Sequence, residues 1–571
     1  MQKIFGYYDS RVDIPEHIRK NMRDIFINKH DALAYREHSC GRLFLIYAAN
    51  PNSASSKYLY NDPSRGITCL VRGNIHAYGQ SNPKIIRPDE TAKFIYDMYQ
   101  KEKSWTFVKD LRGIFNIIYF NKTCVFIIND ILGLSAMYLH SGSNSCLFSN
   151  KAEHIIKLHR GMTIDLTAIA SFLCFGFVPD GRTFIESLRN QKEGSLSEIS
   201  PKGLKHKNYG TPDVGNTSNL PYSEQLNILR KIFLESVKIR AQYNPVVTQL
   251  TGGWDTRLIL ANLIELGIRP VVTTRIKNSK DFQDVVIAKQ IARSFDLKHV
   301  IRKMPDETDA ANSYEADNLG FNAETAYTRP QFNRNESFLK KIGYYRSPII
   351  SGNYGTELFG CVPHKFTQRL GNNYHSFCGS FFKKSFLGPL NERDSRNNIC
   401  DLEKRFRSNN NVSLFLSQIG RTYLSSHYEV GWERPTFDLT SGYLLPFTDT
   451  RFVMHLSTQN EDFFNYTGYQ DFYFRFYKKF LKYPWTYSYF RKTSLKPATS
   501  LIEAKKNTVR YNALNNPLFR DFFKNNGLIG TTDTNAITRL KELYFVFCWL
   551  VSFYENLNIS QIKFLKIRKE L

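Results

Sequence analysis

The stretch Leu250-Thr251-Gly252-Gly253-Trp254-Asp255-Thr256-Arg257 decides how this chain is read. It follows an apolar, strand-like run, Pro245-Val246-Val247-Thr248-Gln249-Leu250, and precedes a helix-like one, Leu258-Ile259-Leu260-Ala261-Asn262-Leu263-Ile264. A strand, a Gly-Gly turn flanked by hydroxyls and then a helix make an arrangement suited to holding phosphate. The glycines let the backbone approach closely, and the N–H groups of the turn and first helical turn point at the anion. Thr251 and Thr256 add hydroxyl donors, and Asp255 offers a carboxylate to the Mg²⁺ that travels with nucleotide phosphates. The Walker pattern is absent, because no Gly-Lys-Ser/Thr end follows. The same residues also suit a buried glycine turn after a strand, so the motif alone leaves both readings open.

Working outward, Ser223–Arg240 carries apolar residues at helical spacing (Leu226, Ile228, Leu229, Ile232, Phe233, Val237) and leads into the strand before the loop. After the loop come another strand, Pro270-Val271-Val272-Thr273-Thr274, and a helix over Val285–Phe295. That order predicts a parallel sheet with a nucleotide at its carboxyl edge. Beyond about Lys365 the aromatic-rich chain reads as mainly helical.

Upstream, the first two hundred residues are rich in strand signals: Arg42–Tyr47, Thr68–Gly73, Ile114–Phe120 and Cys124–Ile128, most followed by Gly, Asn or Asp. They predict a mainly antiparallel sheet, with helices near Thr91–Tyr99 and Leu166–Phe172. The turn-rich stretch from Gly210 to Pro221 reads as an interdomain linker.

The 571 residues are enough for two or three domains, and 42% hydrophobic with 23% charged content is that of a folded protein. The start, Met1-Gln2-Lys3-Ile4-Phe5, lacks the apolar core of a signal peptide. Leu543–Phe553 is too short to span a bilayer, so no transmembrane segment is expected. Nine cysteines without metal spacing read as reduced thiols, which predicts a cytoplasmic location. The formal charge of +25 suits an acidic partner and equally suits a solvated lysine-rich surface. No dense basic run occurs, which argues against nucleic acid. The basic amphipathic end, Gln561–Lys569, fits either a docking segment or a helix packed on its own domain.

Taken in order, these segments resemble the asparagine synthetase family of ATP-dependent amide ligases. Leu111-Arg112-Gly113-Ile114-Phe115-Asn116, Asn129-Asp130 through Met137-Tyr138, Phe148-Ser149-Asn150-Lys151 and Phe175-Gly176-Phe177-Val178-Pro179 resemble landmarks of that family's glutaminase domain. Thr251–Thr256 resembles its Ser-Gly-Gly-x-Asp-Ser pyrophosphate loop, and Ser351–Gly360 its Ser-Gly-x-Gly-Ala-Asp-Glu-Leu-Phe-Gly segment. Leu445-Pro446-Phe447-Thr448-Asp449-Thr450-Arg451 resembles its Val-Pro-Phe-Leu-Asp-x-Arg turn. The resemblance implies a combined α/β and α+β fold. Residues 1–209 would form an Ntn-hydrolase-like antiparallel sandwich and 210–222 the linker. Residues 223–571 would form a PP-loop ATP pyrophosphatase-type parallel α/β domain with a helical C-terminal part.

It also implies roles residue by residue. Leu250, Thr251, Gly252, Gly253, Asp255, Thr256, Val272, Thr273 and Gly352 would bind ATP and pyrophosphate. Asp255 and Glu357 would hold Mg²⁺. Lys492 or Lys496 would steady the pentavalent phosphate, as the candidate catalytic lysines. Asp284 stands where relatives carry an acidic residue near the nucleotide; an exposed helix-face carboxylate explains it equally well. His375 and His427 could touch substrate or be structural.

The departures bear on function. A glutaminase of this class uses an N-terminal cysteine whose α-amine is the base. Gln2 cannot serve, and the family's Asn-Gly-Glu-Ile-Tyr-Asn segment stands here as Arg72-Gly73-Asn74-Ile75-His76-Ala77. The N-terminal domain is therefore expected to be a scaffold that releases no ammonia from glutamine. The family's second metal carboxylate is replaced by Thr356, beside Glu357. The resemblance thus implies a ligase that makes an acyl-AMP from a carboxylate-bearing substrate and then takes an amine. Relatives without the nucleophile include β-lactam synthetases and lasso-peptide macrolactam cyclases, the latter with a precursor peptide and a partner maturation protein. Surface-polysaccharide modification, ammonia-dependent asparagine synthesis and a decayed binding or scaffold subunit are the alternatives.

Overall fold

The computed structural model describes residues 3–27, 34–49, 59–165, 181–210, 218–276, 282–303, 348–359, 443–459 and 467–484, less a few positions within these blocks, together with isolated residues such as 463 and 557–558. Most of the expected helix at Leu166–Phe172, the apolar stretch Leu543–Phe553, the Gln561–Lys569 end, most of Phe175–Pro179 and most of the linker lie outside them.

Among the described residues, the N-terminal part holds two antiparallel sheets. In spatial order the first contains Leu188–Asn190, Tyr138–Ser141, Ser145–Ser149, Lys3–Asp9, Leu43–Ala49 and Ala34–Cys40. The second contains Gly203–Asn208, Ser195–Ser200, Val125–Asn129, Leu111–Phe120, Ile67–Tyr78 and Leu59–Asp62, with Lys84–Ile85 at its side. Alternation along each strand decides which face meets which. Ile4, Tyr8, Leu43 and Leu45 of the first sheet pack on Leu70, Ile118, Phe120 and Ile127 of the second.

The outward residues of both sheets are covered by helices. Phe5 meets His154 of the helix Ala152–Leu158, and Phe44 lies under Arg23 of the helix Glu16–Phe26. Cys69, Val71, Phe115 and Ile117 pack on Ala92 and Ile95 of the helix Thr91–Glu102. The result is four layers, helix–sheet–sheet–helix. The expected strands are all present, and the one around Thr68 runs much further, to Tyr78.

The later part is built on a wholly parallel sheet in the spatial order His299–Lys303, Val271–Ile276, Val247–Gln249, Ile349–Ile350, Tyr443–Leu444. Counted along the chain, that order is 3-2-1-4-5. Val247 is the pivot, paired with Val271 on one side and Ile349 on the other. Helices Tyr222–Arg240, Trp254–Glu265 and Phe282–Ser294 pack their apolar stripes on it, through Leu229, Phe233, Leu258, Leu263, Ile287 and Ile291. An order that reverses beside its first strand opens a crevice at the carboxyl ends of strands 1 and 4. The Thr251–Gly253 turn and the Ser351–Tyr354 turn both lie there.

The two parts are joined by buried charge as well as by apolar contact. Arg112, of the second antiparallel sheet, forms ion pairs with Asp449 at 3.0 Å and with Glu235 of the helix Tyr222–Arg240. Thr450 donates its hydroxyl to the Leu111 carbonyl at 2.8 Å. Within the expected linker, Ser218 N–H donates to the Thr458 carbonyl at 2.7 Å, and Tyr222 already opens a helix.

Candidate functional site

The turn after the pivot strand begins from a fixed point. Leu250 N–H donates to the Thr273 carbonyl at 2.9 Å, and the Leu250 carbonyl accepts from the Thr274 hydroxyl at 2.7 Å. From there the loop fastens itself. Thr251 N–H donates to Thr256 Oγ1, and Gly253 N–H to Thr251 Oγ1, each at 3.0 Å. The two hydroxyls are also 3.0 Å apart. Both threonines therefore shape the turn, as acceptors for its N–H groups, and keep a hydroxyl proton to share.

Gly252 is held from outside the turn. Its N–H donates to Asp284 Oδ1 at 2.7 Å, and its carbonyl accepts from Arg257 Nη2 at 2.9 Å. Asp284 stands in the first turn of the helix Phe282–Ser294 and is half-buried, so it is not the exposed helix-face carboxylate. Arg257 is buried and donates further to the carbonyls of Phe480 (3.5 Å), Tyr483 (3.2 Å) and Pro484. Desolvation lowers its pKa from the ordinary value, against the opposing pull of Tyr473 and Asp284. Arginine keeps its proton even so, and its positive charge stands behind the turn.

Asp255 heads the helix Trp254–Glu265, and two side chains converge on its carboxylate. The buried Tyr469 hydroxyl donates to Oδ1, and the Thr356 hydroxyl lies 3.5 Å from Oδ2. The fourth-strand turn presses on the same residue: a Cβ on Gly352 would stand 2.5 Å from the Asp255 carbonyl carbon and 2.7 Å from Thr256 N. Gly355 is similarly confined, by the Asp255 carboxylate itself. Between them Tyr354 takes a left-handed φ of +77°, which costs a non-glycine residue about 1–2 kcal/mol. Only glycine fits at position 352, so the two motifs, far apart in the chain, are assembled backbone to backbone.

One carboxylate and one hydroxyl facing each other fit a magnesium ion carried mainly by phosphate oxygens, the usual manner of Mg²⁺ binding. They do not make a cage for a free cation, and among the described residues no group of three His, Cys, Asp or Glu side chains gathers. Glu357 lies in the short helix Gly355–Leu358, its side chain outside the described set, and Lys492, Lys496, His375 and His427 also lie outside it. Val272 and Thr273 sit within the sheet. Val272 is fully buried, its N–H donating to the Lys298 carbonyl at 2.9 Å, and the Thr273 hydroxyl donates to the Thr248 carbonyl at 3.3 Å. These two residues support the loop from behind.

Two residues beyond the sequence reading belong to the site. Arg257 had a visible signal, a cation one position after the motif and just ahead of the apolar run Leu258–Ala261. Tyr469, 214 residues from its carboxylate partner, had none. Trp254 stacks on Tyr473 at 5.0 Å, which fixes the aromatic helix Thr467–Phe476 against the loop.

In the N-terminal part, Arg72, which opens the Arg72–Ala77 segment, is turned inward. It donates to Asn116 Oδ1 (2.8 Å), Ser135 Oγ (2.7 Å) and the Ala136 carbonyl (3.1 Å). The strand Lys3–Asp9 contains no Cys, Ser or Thr. Lys3 is buried, and desolvation, helped by Lys151, pulls its ammonium down to about 8.

The chain is similar to an asparagine synthetase. It is 20% identical over 308 residues to asparagine synthetase [glutamine-hydrolyzing] 1 of Bacillus subtilis, a match over 51% of this chain and 48% of that protein. The chain thus spans about half the length of the curated relative it matches. No protein-family profile matches. Among solved structures, the glutamine phosphoribosylpyrophosphate amidotransferase from B. subtilis complexed with ADP and GMP is 8% identical, covering 61% of this chain and 81% of its own, with a TM-score of 0.27. A glutamine aminotransferase class-II domain protein from Silicibacter pomeroyi is 6% identical, covering 37% and 100%, with a TM-score of 0.19. Among the described residues no helix is long and apolar enough to cross a membrane.

Proposed function

We propose that this protein is an ATP-dependent, AMP-forming amide ligase of the asparagine synthetase type. The observation that carries this reading is the seating of the Ser351-Gly352 turn on Asp255 at the switch point of a 3-2-1-4-5 parallel sheet. A substrate carboxylate oxygen attacks the α-phosphorus of ATP, giving an acyl-adenylate and pyrophosphate. An amine nitrogen then attacks the acyl carbon, loses a proton and expels AMP. The residues at Thr251–Thr256 orient the departing pyrophosphate through N–H and hydroxyl donors, and the Arg257 charge behind them favours its negative charge. Asp255, with Thr356 opposite, would hold Mg²⁺, which when bound neutralises the phosphate oxygens.

We further propose that the amine belongs to the substrate and does not come from glutamine. The absence of Cys, Ser or Thr from Lys3–Asp9 and the commitment of Arg72 to internal hydrogen bonds support this. A precursor peptide closed into a macrolactam, with a partner maturation protein, is the substrate class this reading favours, and a net charge of +25 suits an acidic one.

ATP–pyrophosphate exchange, screened over free amino acids and acidic peptides, tests the first step. Exchange with one carboxylate class supports the reading. No exchange with any of them, and no binding of ATP with Mg²⁺ by calorimetry, would show a scaffold instead. Glutaminase assay of the whole protein tests the amine source, with no glutamate release expected.

A further inference from the structure

Asp284 is an unusual neighbour for a phosphate loop. Its carboxylate accepts from Gly252 N–H at 2.7 Å, so this loop donor is held by a charged acceptor. Thr251 N–H and Gly253 N–H go to neutral hydroxyls, which can turn and donate to an incoming anion while still accepting. A carboxylate cannot do this. It is acceptor-only when ionised, and a phosphate oxygen that takes the same donor must meet its negative charge at close range. The peptide that follows is held as well: Arg257 Nη2 donates to the Gly252 carbonyl at 2.9 Å, and the same guanidinium is anchored on the carbonyls of Phe480, Tyr483 and Pro484.

We propose that Asp284 sets the form of phosphate the loop accepts: it competes with metal-free polyphosphate for Gly252 N–H, so that only the magnesium complex binds well. The inference rests on the ligase reading and deepens it. A magnesium ion on the polyphosphate lowers the negative charge that meets Asp284, and the repulsion falls with it. Asp284 is a specificity-determining residue, and Arg257, whose donors go to backbone carbonyls, is a positioning residue for the adjoining peptide.

The test is calorimetric titration of the full-length protein with inorganic pyrophosphate and with ATP, each with magnesium and with EDTA, in the wild type, Asp284→Asn and Asp284→Glu. Asparagine keeps an acceptor oxygen for Gly252 N–H and removes the charge; glutamate keeps the charge. The wild type should bind both ligands with magnesium and bind them poorly in EDTA. Asp284→Asn should bind metal-free pyrophosphate about tenfold more tightly than the wild type, while Asp284→Glu should retain the magnesium requirement. Thermal unfolding of each variant separates this from a loss of fold. Metal-free affinity in Asp284→Asn equal to or below the wild type, or loss of its magnesium-dependent binding, would overturn the inference and leave the ligase reading standing. Failure of the wild type to bind either ligand with magnesium would overturn both.

Discussion

Arg112 Nε donates to both carboxylate oxygens of Asp449, at 3.0 and 3.1 Å, across 337 residues of sequence. Both side chains are fully buried. Asp449 also receives Arg240 Nη1 at 2.9 Å and caps its own helix through Arg451 N–H at 3.1 Å. The strand motif of the first part and the Pro-Phe-x-Asp-x-Arg turn of the second therefore meet in one ion cluster. Arg112→Ala leaves Asp449 with one guanidinium in a dry site, and a loss of about 3–5 kcal/mol is expected in denaturant unfolding. Asp449→Asn should cost a similar amount, and the double variant less than the sum. Additive losses would show that the pair does not couple the two parts.

The same cluster makes stability depend on pH in two separate windows. Desolvation pushes the Asp449 carboxyl up, but Arg240 and Arg112 outweigh it and hold it below the usual carboxylate range. Its contribution is thus present above pH ~4 and lost only at lower pH. His76 is fully buried and neutral, drawn down to about 3 by desolvation and then by Arg240. A folded pKa below the unfolded value near 6.5 means its contribution is complete above that pH and falls away toward pH 3. His76→Gln should flatten the acid limb by up to ~1.4 kcal/mol per pH unit, read from denaturant midpoints between pH 7 and 4. An unchanged slope would place the acid sensitivity elsewhere.

Within the proposed ligase site, Asp255→Ala should abolish ATP–pyrophosphate exchange while leaving the fold intact by circular dichroism. Gly352→Ala should lower stability by about 1–3 kcal/mol and also weaken ATP binding, since its methyl group would drive the Asp255 backbone away. Exchange that survives Asp255→Ala, or ATP affinity unchanged in Gly352→Ala, would separate this turn from the chemistry.

Thr356→Asp places a second carboxylate against Asp255, where a hydroxyl now lies 3.5 Å from Oδ2. Less Mg²⁺ should then be needed to saturate ATP binding, while stability without the metal should fall by about 1 kcal/mol from like-charge repulsion. A magnesium titration followed by calorimetry checks the first effect and thermal unfolding with EDTA the second.

The elements of this protein were legible where periodicity is local. The helices at Ser223–Arg240 and Val285–Phe295 were placed within a few residues of Tyr222–Arg240 and Phe282–Ser294, because an apolar stripe every third or fourth residue admits one folded use. The pivot strand is shorter than its apolar run: Val247–Gln249 alone is paired, since Leu250 already turns into the loop. Asp284 could be read two ways, because nothing in its neighbourhood along the chain shows that the helix start faces Gly252.

By itself the sequence determined a Gly-Gly turn between a strand and a helix, a run of antiparallel strands before it, and the motifs at Ser351–Gly360 and Leu445–Arg451. Local propensity and spacing are carried by neighbouring residues, so a linear reading finds them. Only the tertiary structure decided what each motif touches. It set Gly352 on Asp255, turned Tyr469 onto the same carboxylate, gave the Gly252 N–H to Asp284, and buried Arg112 against Asp449. Such contacts depend on how strands are ordered in a sheet and on which close approach a missing side chain allows, and neither is written in any one stretch of chain.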